Sequence, residues 1–318
     1  MWLYLAAVLA GLYLLWRWHR ERQMVPRLSE KYVLITGCDS GFGNLLARQL
    51  DVRGLRVLAA CLTETGAAQL RAATSPRLQT VLLDVTSSQS IAAAAAWVRE
   101  RVGDQGLWGL VNNAGTSVPI APNGWLTKDD FVKVLDVNLV GLIEVTLSLL
   151  PLVRRARGRV VNVASVMGRI SSFGGGYCIS KFGVEAFSDS LRLEMRSFGV
   201  KVSVIEPGYF KTVIANTENM EKNFLSIWEK LPEETKASYG ENYLKGLLIR
   251  IRKTLKKCSS NLTLVTDCME HALTSRFPRA RYSAGWDAKL LFIPLSYLPS
   301  AITDVILTWF YPLPAQKA

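Results

Sequence analysis

KYVLITGCDSGFGNLLARQL, residues 31–50, is the stretch on which the architecture turns. Its KYVLIT portion is a short, continuous apolar run of the kind that fits a strand covered on both faces. A turn carrying Gly37, Gly41 and Gly43 follows, and a helical run begins at residue 43. Glycines let the backbone turn tightly there, and a helix N-terminus offers amides with partial positive charge, so the turn is a candidate cradle for a pyrophosphate. A glycine-rich turn is equally an ordinary loop; its place between a first strand and a first helix is what favours a dinucleotide.

The same order recurs downstream. RVLAACL, LQTVLLDV, LWGLVNNAG, GRVVNVAS and VKVSVIEPG are further apolar runs, with helical candidates at 43–53, 90–102, 128–155 and 177–198. Alternation of this kind predicts an α/β fold, a doubly wound parallel sheet of Rossmann type, with ligands at the carboxyl ends of the strands. At the end of the second strand an acid would bind the ribose hydroxyls of NAD and an arginine the 2′-phosphate of NADP. The candidates are Cys61, Leu62, Thr63 and Glu64; Glu64 repels a phosphate and so tilts the choice to NAD, or it is a solvated acid at a helix start. Asp84 either bonds the adenine amine or caps the turn beside Thr86 and Ser87. Asn112, Asn113, Ala114 and Gly115 follow the fourth strand, where small residues permit close approach to a cofactor and part of the motif serves the sheet.

The chemistry is expected in SVMGRISSFGGGYCISK, residues 165–181. Tyr177 and Lys181 are spaced to share one face of a helix, and Ser165 ends a strand candidate. A free phenol titrates near ~10, and a neighbouring ammonium favours the phenolate, which turns tyrosine into a usable general base or acid. YxxxK alone is a common accident, with Tyr177 an ordinary helix residue and Lys181 a solvated one; the glycine turn and NNAG motifs beside it are what raise it above that.

Composition narrows the alternatives. At 318 residues the chain can bury a full core as one domain with appendages. The five cysteines, Cys38, Cys61, Cys178, Cys258 and Cys268, have no CxxC pairing, which argues against a disulfide framework and a zinc site. Only two histidines exist, His19 and His271; a Ser/His/Asp hydrolase would have to use His271, which has no nucleophile elbow to partner it and reads as a structural or surface histidine.

The net charge of +12 calls for anionic partners, and the N-terminus selects lipid over nucleic acid. MWLYLAAVLAGLYLLW is uncharged, apolar and aromatic near both ends, and RWHRER follows it. A helix over 1–16 reaches about 24 Å against a hydrocarbon core of roughly 30 Å, so both a span and deep insertion remain open. Charges after the apolar run, with no small-residue cleavage site, predict an uncleaved anchor with the following domain on the cytosolic side. Asn261-Leu262-Thr263 is a glycosylation acceptor usable only in the lumen.

The expected organisation is an anchor at 1–18, a basic linker at 19–30, a catalytic domain at 31–288 with a substrate lid at 209–257, and an apolar C-terminal membrane-associated segment at 289–318. In the lid, Tyr209, Phe210, Phe224, Ile227, Trp228 and Leu231 are expected to wall a retinoid or sterol site, or simply to form a helix's core stripe. KGLLIRIRKTLKK, residues 245–257, suits an anionic membrane surface, or is a solvated helix.

TGCDSGFG, NNAG and Ser165 followed by YCISK, in that order, closely resemble the short-chain dehydrogenase/reductase family over about residues 31–212. The resemblance implies that Ser165 holds the substrate oxygen, Tyr177 transfers its proton, Lys181 lowers the tyrosine pKa and binds the nicotinamide ribose, and Asn138 completes a water relay. It also implies a cofactor site of Thr36, Gly37, Ser40, Gly41, Phe42, Gly43, Leu62, Asp84, Asn112, Ala114, Gly115, Tyr177, Lys181, Pro207, Gly208 and Thr212, filled by NAD or NADP. GGGYCISKFGVEAFSDSLR, EPGYFKT, LLPLVRRARGRVVNV and RYSAGWDAKLL resemble its microsomal retinol and hydroxysteroid dehydrogenase branch. That likeness implies an endoplasmic reticulum enzyme oxidising all-trans-retinol and 3α- or 17β-hydroxysteroids, with a homodimer plausible. The rivals are an NADP-dependent reductase of steroid or lipid ketones and a membrane-tethered binding protein that keeps the nucleotide fold without chemistry.

Overall fold

A computed structural model describes residues 1–172, 174–309 and 311–316; the parts of the 165–181 stretch and of the C-terminal segment at residues 173, 310, 317 and 318 lie outside them. The strands are β1 (Tyr32–Thr36), β2 (Arg56–Cys61), β3 (Gln79–Leu82), β4 (Gly109–Asn112), β5 (Arg159–Val163), β6 (Lys201–Pro207) and β7 (Arg281–Ala284). They form one parallel sheet in the order β3-β2-β1-β4-β5-β6-β7. The order reverses between β1 and β4, which opens a crevice at their carboxyl ends. The edge strand β7 is an addition to the six runs legible in the sequence. RYSA buries only alternate residues, so it lacks the continuous apolar character of the central strands.

The helices are α1 (Trp2–Glu21), α2 (Gly41–Val52), α3 (Glu64–Ala72), α4 (Ser88–Val102), α5 (Lys128–Leu135), α6 (Gly141–Arg155), α7 (Gly176–Glu194), α8 (Thr217–Glu229), α9 (Glu233–Tyr239), α10 (Glu241–Lys256), α11 (Thr263–Thr274), α12 (Ile293–Leu295) and α13 (Ser300–Thr308). Leu46 and Leu50 of α2 and Val265, Met269 and Leu273 of α11 cover one face of the sheet. Ile91 and Val98 of α4, Val145, Leu149 and Leu152 of α6 and Leu191 of α7 cover the other. Strands buried from both sides explain the unbroken apolar runs.

A π-helical turn at Asp136–Val140 joins α5 to α6. The combined helix Lys128–Arg155 is the one helix among the described residues long and apolar enough to cross a membrane, yet Val134, Leu142, Val145, Leu149 and Leu152 hold it in the domain core. α1 runs past residue 16 to Glu21, so its 20 residues extend about 30 Å at ~1.5 Å per residue, more than the 1–16 estimate. Trp2, Tyr4, Val8, Leu12 and Trp16 are exposed along it. Its end is tied to the domain by His271, whose Nδ1 meets the Tyr282 hydroxyl at 2.8 Å and whose Nε2 meets the Glu21 carbonyl at 2.9 Å. His271 is thus a structural histidine.

The lid has a core of its own. Phe224, Ile227, Trp228 and Leu231 pack with Trp125, Tyr239 and Tyr243 in a separate aromatic cluster, with Trp125 ring centroids 5.1 Å from Trp228 and 5.2 Å from Tyr239. The basic helix α10 turns Leu244, Leu247, Ile251 and Leu255 into that cluster. Its apolar stripe is therefore spent inside the protein and is not free for a bilayer, while Lys245 pairs with Glu241 and Arg252 with Glu221 on the wet side. In the C-terminal segment Phe292, Leu295 and Leu307 pack against Val166, Met167, Ile170 and Tyr177, and Leu290, Tyr297, Val305 and Trp309 face outward. This segment packs over the stretch from Val166 to Tyr177.

Candidate active site

The nucleotide half begins where β1 stops. Gly37 has φ +69°, and a Cβ there would lie 2.8 Å from the Ala114 Cα, so only glycine lets the turn touch the end of β4. Gly43 is bound as tightly, since its Cβ would lie 2.4 Å from the Gly37 carbonyl oxygen. The Thr36 hydroxyl accepts from the amides of Asn113 and Ala114, both at 3.0 Å. The Asn113 side-chain amide donates back to the Thr36 and Gly37 carbonyls at 2.9 and 3.1 Å. Above this clamp α2 starts at Gly41 behind Ser40, which makes no side-chain cap. Uncapped first-turn amides at a cavity wall suit an anionic diphosphate.

A cavity of about 550 Å³ opens over these residues. Of the predicted cofactor residues, Gly37, Ser40, Gly41, Phe42, Leu62, Asp84, Ala114, Gly115, Tyr177, Lys181, Pro207, Gly208 and Thr212 line it. Thr36 and Gly43 support it from behind. Asn112 is a correction: its amide donates to the Thr146 hydroxyl and the Asn162 carbonyl oxygen, both at 2.8 Å, inside the core. On a strand, neighbours point to opposite sides, and Asn112 takes the side away from the cavity. Asp84 accepts from the Thr86 amide at 2.9 Å and hydroxyl at 2.7 Å while lining the cavity, so the cap is made and the wall position is kept. Glu64 is not in the wall; it sits on the first turn of α3 and pairs with Arg71 at 2.5 Å.

The acid at the end of β2 comes from elsewhere in the chain. Asp39 reaches across from the glycine turn, accepting from the Leu62 amide at 2.8 Å, the Thr63 amide at 3.0 Å and the Thr63 hydroxyl at 2.7 Å. It lines the cavity beside Leu62 and Thr63. Gly66 makes room, because a Cβ there would lie 2.4 Å from the Asp39 Oδ1. The aspartate within TGCDSGFG was the available signal.

Ser165 leaves β5 in extended conformation, and its hydroxyl accepts from the Met167 amide at 3.1 Å, capping a short turn. Gly175, at φ +87°, swings the chain into α7, so Tyr177 occupies the first turn and Lys181 the next. The Ser165 hydroxyl neighbours the Tyr177 phenol and acts to lower its pKa. Lys181 is buried, donates Nζ to the Val163 carbonyl at 2.9 Å, and stands 5.7 Å from the Tyr177 ring centre. Burial pushes the phenol up to about 12, partly offset by the neighbouring Ser165 hydroxyl, and pulls the lysine down to about 8, against the field of Glu185. Burial of the phenol and commitment of the ammonium to the Val163 carbonyl both oppose the acidification expected from YxxxK.

Asn138 lies in the π turn, fully buried, where Nδ2 donates to the Thr116 carbonyl at 2.8 Å and the Ser180 hydroxyl at 3.0 Å and Oδ1 accepts from the Thr116 amide at 2.8 Å. It does not line the cavity; it stands behind Gly115, whose Cβ would lie 3.2 Å from its Oδ1 and 3.9 Å from the Lys181 Nζ. The apolar part of the cavity is formed by Ile120, Val166, Met167, Tyr209, Phe210, Ile214, Met220 and Leu255. Of the expected aromatic wall only Tyr209 and Phe210 are there, the rest having gone into the lid core. Asp287 fixes Tyr209 by accepting its amide at 2.7 Å, packed where a Gly208 Cβ would be.

Comparison with known proteins agrees with this arrangement. The family model for short chain dehydrogenase matches residues 31–223. The chain is 65% identical over 316 residues to human retinol dehydrogenase 16, covering 99% of each chain. It is 62% identical over 316 residues to human 17-beta-hydroxysteroid dehydrogenase type 6, again covering 99% of each. A crystal structure of a short-chain dehydrogenase from Streptomyces avermitilis superposes with a TM-score of 0.68 at 25% identity, over 88% of this chain and 96% of that one. One from Burkholderia phymatum in complex with NAD shares the fold at a TM-score of 0.67 and 23% identity, over 91% and 97%. A dinucleotide cradle and a Ser-Tyr-Lys wall on a seven-stranded parallel sheet, matched by the family model and by full-length relatives, place the chain in the short-chain dehydrogenase family as an oxidoreductase with a nicotinamide cofactor.

Proposed function

We propose that the chain oxidises the hydroxyl of an apolar alcohol, all-trans-retinol or a 3α- or 17β-hydroxysteroid, with NAD as cofactor, and catalyses the reverse reaction on the aldehyde or ketone. The observation that carries this is the meeting of Ser165, Tyr177 and Lys181 in one cavity with both the glycine turn and an apolar wall. Among the described residues, that wall has no lysine or arginine besides Lys181 to hold a phosphate or carboxylate on the substrate. The names of the relatives, retinol and 17-beta-hydroxysteroid dehydrogenases, point to the same substrate class.

In this mechanism the Ser165 and Tyr177 hydroxyls hold the alcohol oxygen and Tyr177 takes its proton. Lys181, one turn along the same helix face, stabilises the phenolate, and Asn138 holds the Thr116 loop from behind. Bound nicotinamide supplies the hydride acceptor. NAD is favoured over NADP because the group at the end of β2 is the Asp39 carboxylate, which suits ribose hydroxyls and repels a phosphate. The neutral phenol that burial favours suits proton donation, so ketone reduction is the second direction to assay.

We further infer that α1, with Trp2, Tyr4, Val8, Leu12 and Trp16 exposed along it, anchors the chain in the endoplasmic reticulum membrane with the catalytic domain in the cytosol. Initial rates with NAD and NADP on retinol and on a 3α-hydroxysteroid test the assignment. Tyr177→Phe should lower kcat by at least ~10²-fold while nucleotide binding persists. Retained turnover would overturn the role of the phenol.

A further inference from the structure

Directly behind the catalytic helix lies a charge cluster, built around the buried carboxylates Glu185 and Glu206, that the mechanism above does not use. Glu185 follows Lys181 by one turn of α7 and is 6% exposed. Its Oε2 accepts from the Arg281 Nε at 3.0 Å, and its Oε1 has no hydrogen-bond partner among the described residues. Arg281 also donates Nη2 to Asp189 at 2.6 Å and lies 3.8 Å from Glu206. Glu206, 1% exposed, accepts from the Arg169 Nη1 at 3.0 Å and from the Ser283 hydroxyl at 3.1 Å.

The placement of these groups matters more than their number. Glu185 stands on the Lys181 helix, Arg169 on the loop that follows Ser165, and Glu206 immediately before the Pro207-Gly208 turn of the cavity. Gly168 brings the serine loop onto the same spot of α7, since its Cβ would lie 2.8 Å from the Lys181 carbonyl oxygen and 3.1 Å from the Glu185 Cγ. A purely structural ion pair accounts for Arg281 with Asp189 and for Arg169 with Glu206. The Arg281 pair also holds the Glu185 Oε2, but it leaves Oε1 buried without a partner among the described residues, and such an oxygen is costly to bury.

We propose that Glu185, held by Arg281, is a positioning residue that keeps Lys181 charged and so sets the pH at which the tyrosine works. Lys181 is desolvated and gives its proton donor to Val163, so the neutral amine is the form that burial favours. A carboxylate one helical turn away, inside the same low-dielectric region, opposes that. Glu185 is the charge that raises Lys181 against burial, and it sits itself at about 7, burial and Glu206 pushing it up and Arg281 and Arg169 holding it down. The groups facing it are Lys181 and Asp189 on α7, Arg281 on β7, Glu206 on β6 and Arg169 on the serine loop. Loss of its charge lets Lys181 release its proton sooner, and the phenol then ionises at higher pH.

The inference rests on the Tyr177 and Lys181 roles proposed above, and Tyr177→Phe tests those separately. The experiment is the pH dependence of kcat/KM for alcohol oxidation by the full-length enzyme, comparing wild type, Glu185→Gln, Glu185→Asp and Arg281→Lys. Glu185→Gln should move the acid limb up by roughly half a pH unit or more with an unchanged KM for NAD; Glu185→Asp should restore it. Arg281→Lys, which keeps the positive charge, should shift the limb in the same sense by less, and it supplies the readout if the glutamine variant does not fold. A rate that falls equally at every pH, or glutamine and aspartate variants with the same profile, would reduce the cluster to a structural ion network and overturn the proposal.

Discussion

Replacing Asp39 by Asn separates cofactor choice from scaffold strength. The carboxylate accepts three hydrogen bonds, from the Leu62 amide at 2.8 Å, the Thr63 amide at 3.0 Å and the Thr63 hydroxyl at 2.7 Å. An asparagine oxygen can keep the two Thr63 bonds, but its NH₂ then faces the Leu62 amide, donor against donor, and one bond is lost. That should cost about 1–2 kcal/mol of stability. The charge change acts on binding. A carboxylate and one unit of phosphate charge about 8 Å apart repel by ~0.5 kcal/mol in a water-like dielectric and ~2 kcal/mol at an effective dielectric of 20. The ratio of kcat/KM for NADP to that for NAD should therefore rise by roughly 2- to 30-fold in Asp39→Asn. Steady-state rates with each nucleotide and one apolar alcohol give the ratio, and urea melts give the stability. An unchanged ratio with the stability loss intact would make Asp39 a strut alone and refute its part in NAD selection.

Three further outcomes follow from the same contacts. Asn112→Ala should cost about 1–3 kcal/mol in urea denaturation, because it leaves the Asn162 side-chain oxygen without its donor and the Thr146 hydroxyl with only its bond to Leu142, without altering the KM for NAD. A weakened KM would return Asn112 to the cofactor site. Trp125→Ala should hollow the lid and cost about 3–5 kcal/mol by thermal or urea unfolding, since its indole carries contacts to Trp228, Tyr239 and Tyr243. Lys181 is depressed from 10.5 to about 8, so the folded chain holds fewer protons than the unfolded one between those values; its contribution to stability is present above pH 10.5 and lost as pH falls through 8. The stability of wild type minus that of Lys181→Met should rise by up to ~3 kcal/mol across that window, and a flat difference would mean that the ammonium is not desolvated.

The repeating βα order, the glycine turn and the Ser-Tyr-Lys spacing were legible because each is written in consecutive residues. A doubly covered strand must be apolar throughout, a turn at φ +69° requires glycine, and groups four residues apart on a helix share a face. What stayed hidden depends on partners distant in the chain. Asp39 meets Leu62 and Thr63 only when β1 and β2 pair, Asp287 reaches Tyr209 only when β7 closes the sheet, and Glu185 gains Arg281 the same way. The apolar stripe of α10 and the aromatics of α8 read identically whether lipid, substrate or the lid's own core covers them, and the fold chose the core. The phenol's pKa belongs to the same class: YxxxK places the ammonium nearby, but desolvation and the Val163 carbonyl, both products of tertiary packing, decide what that proximity is worth.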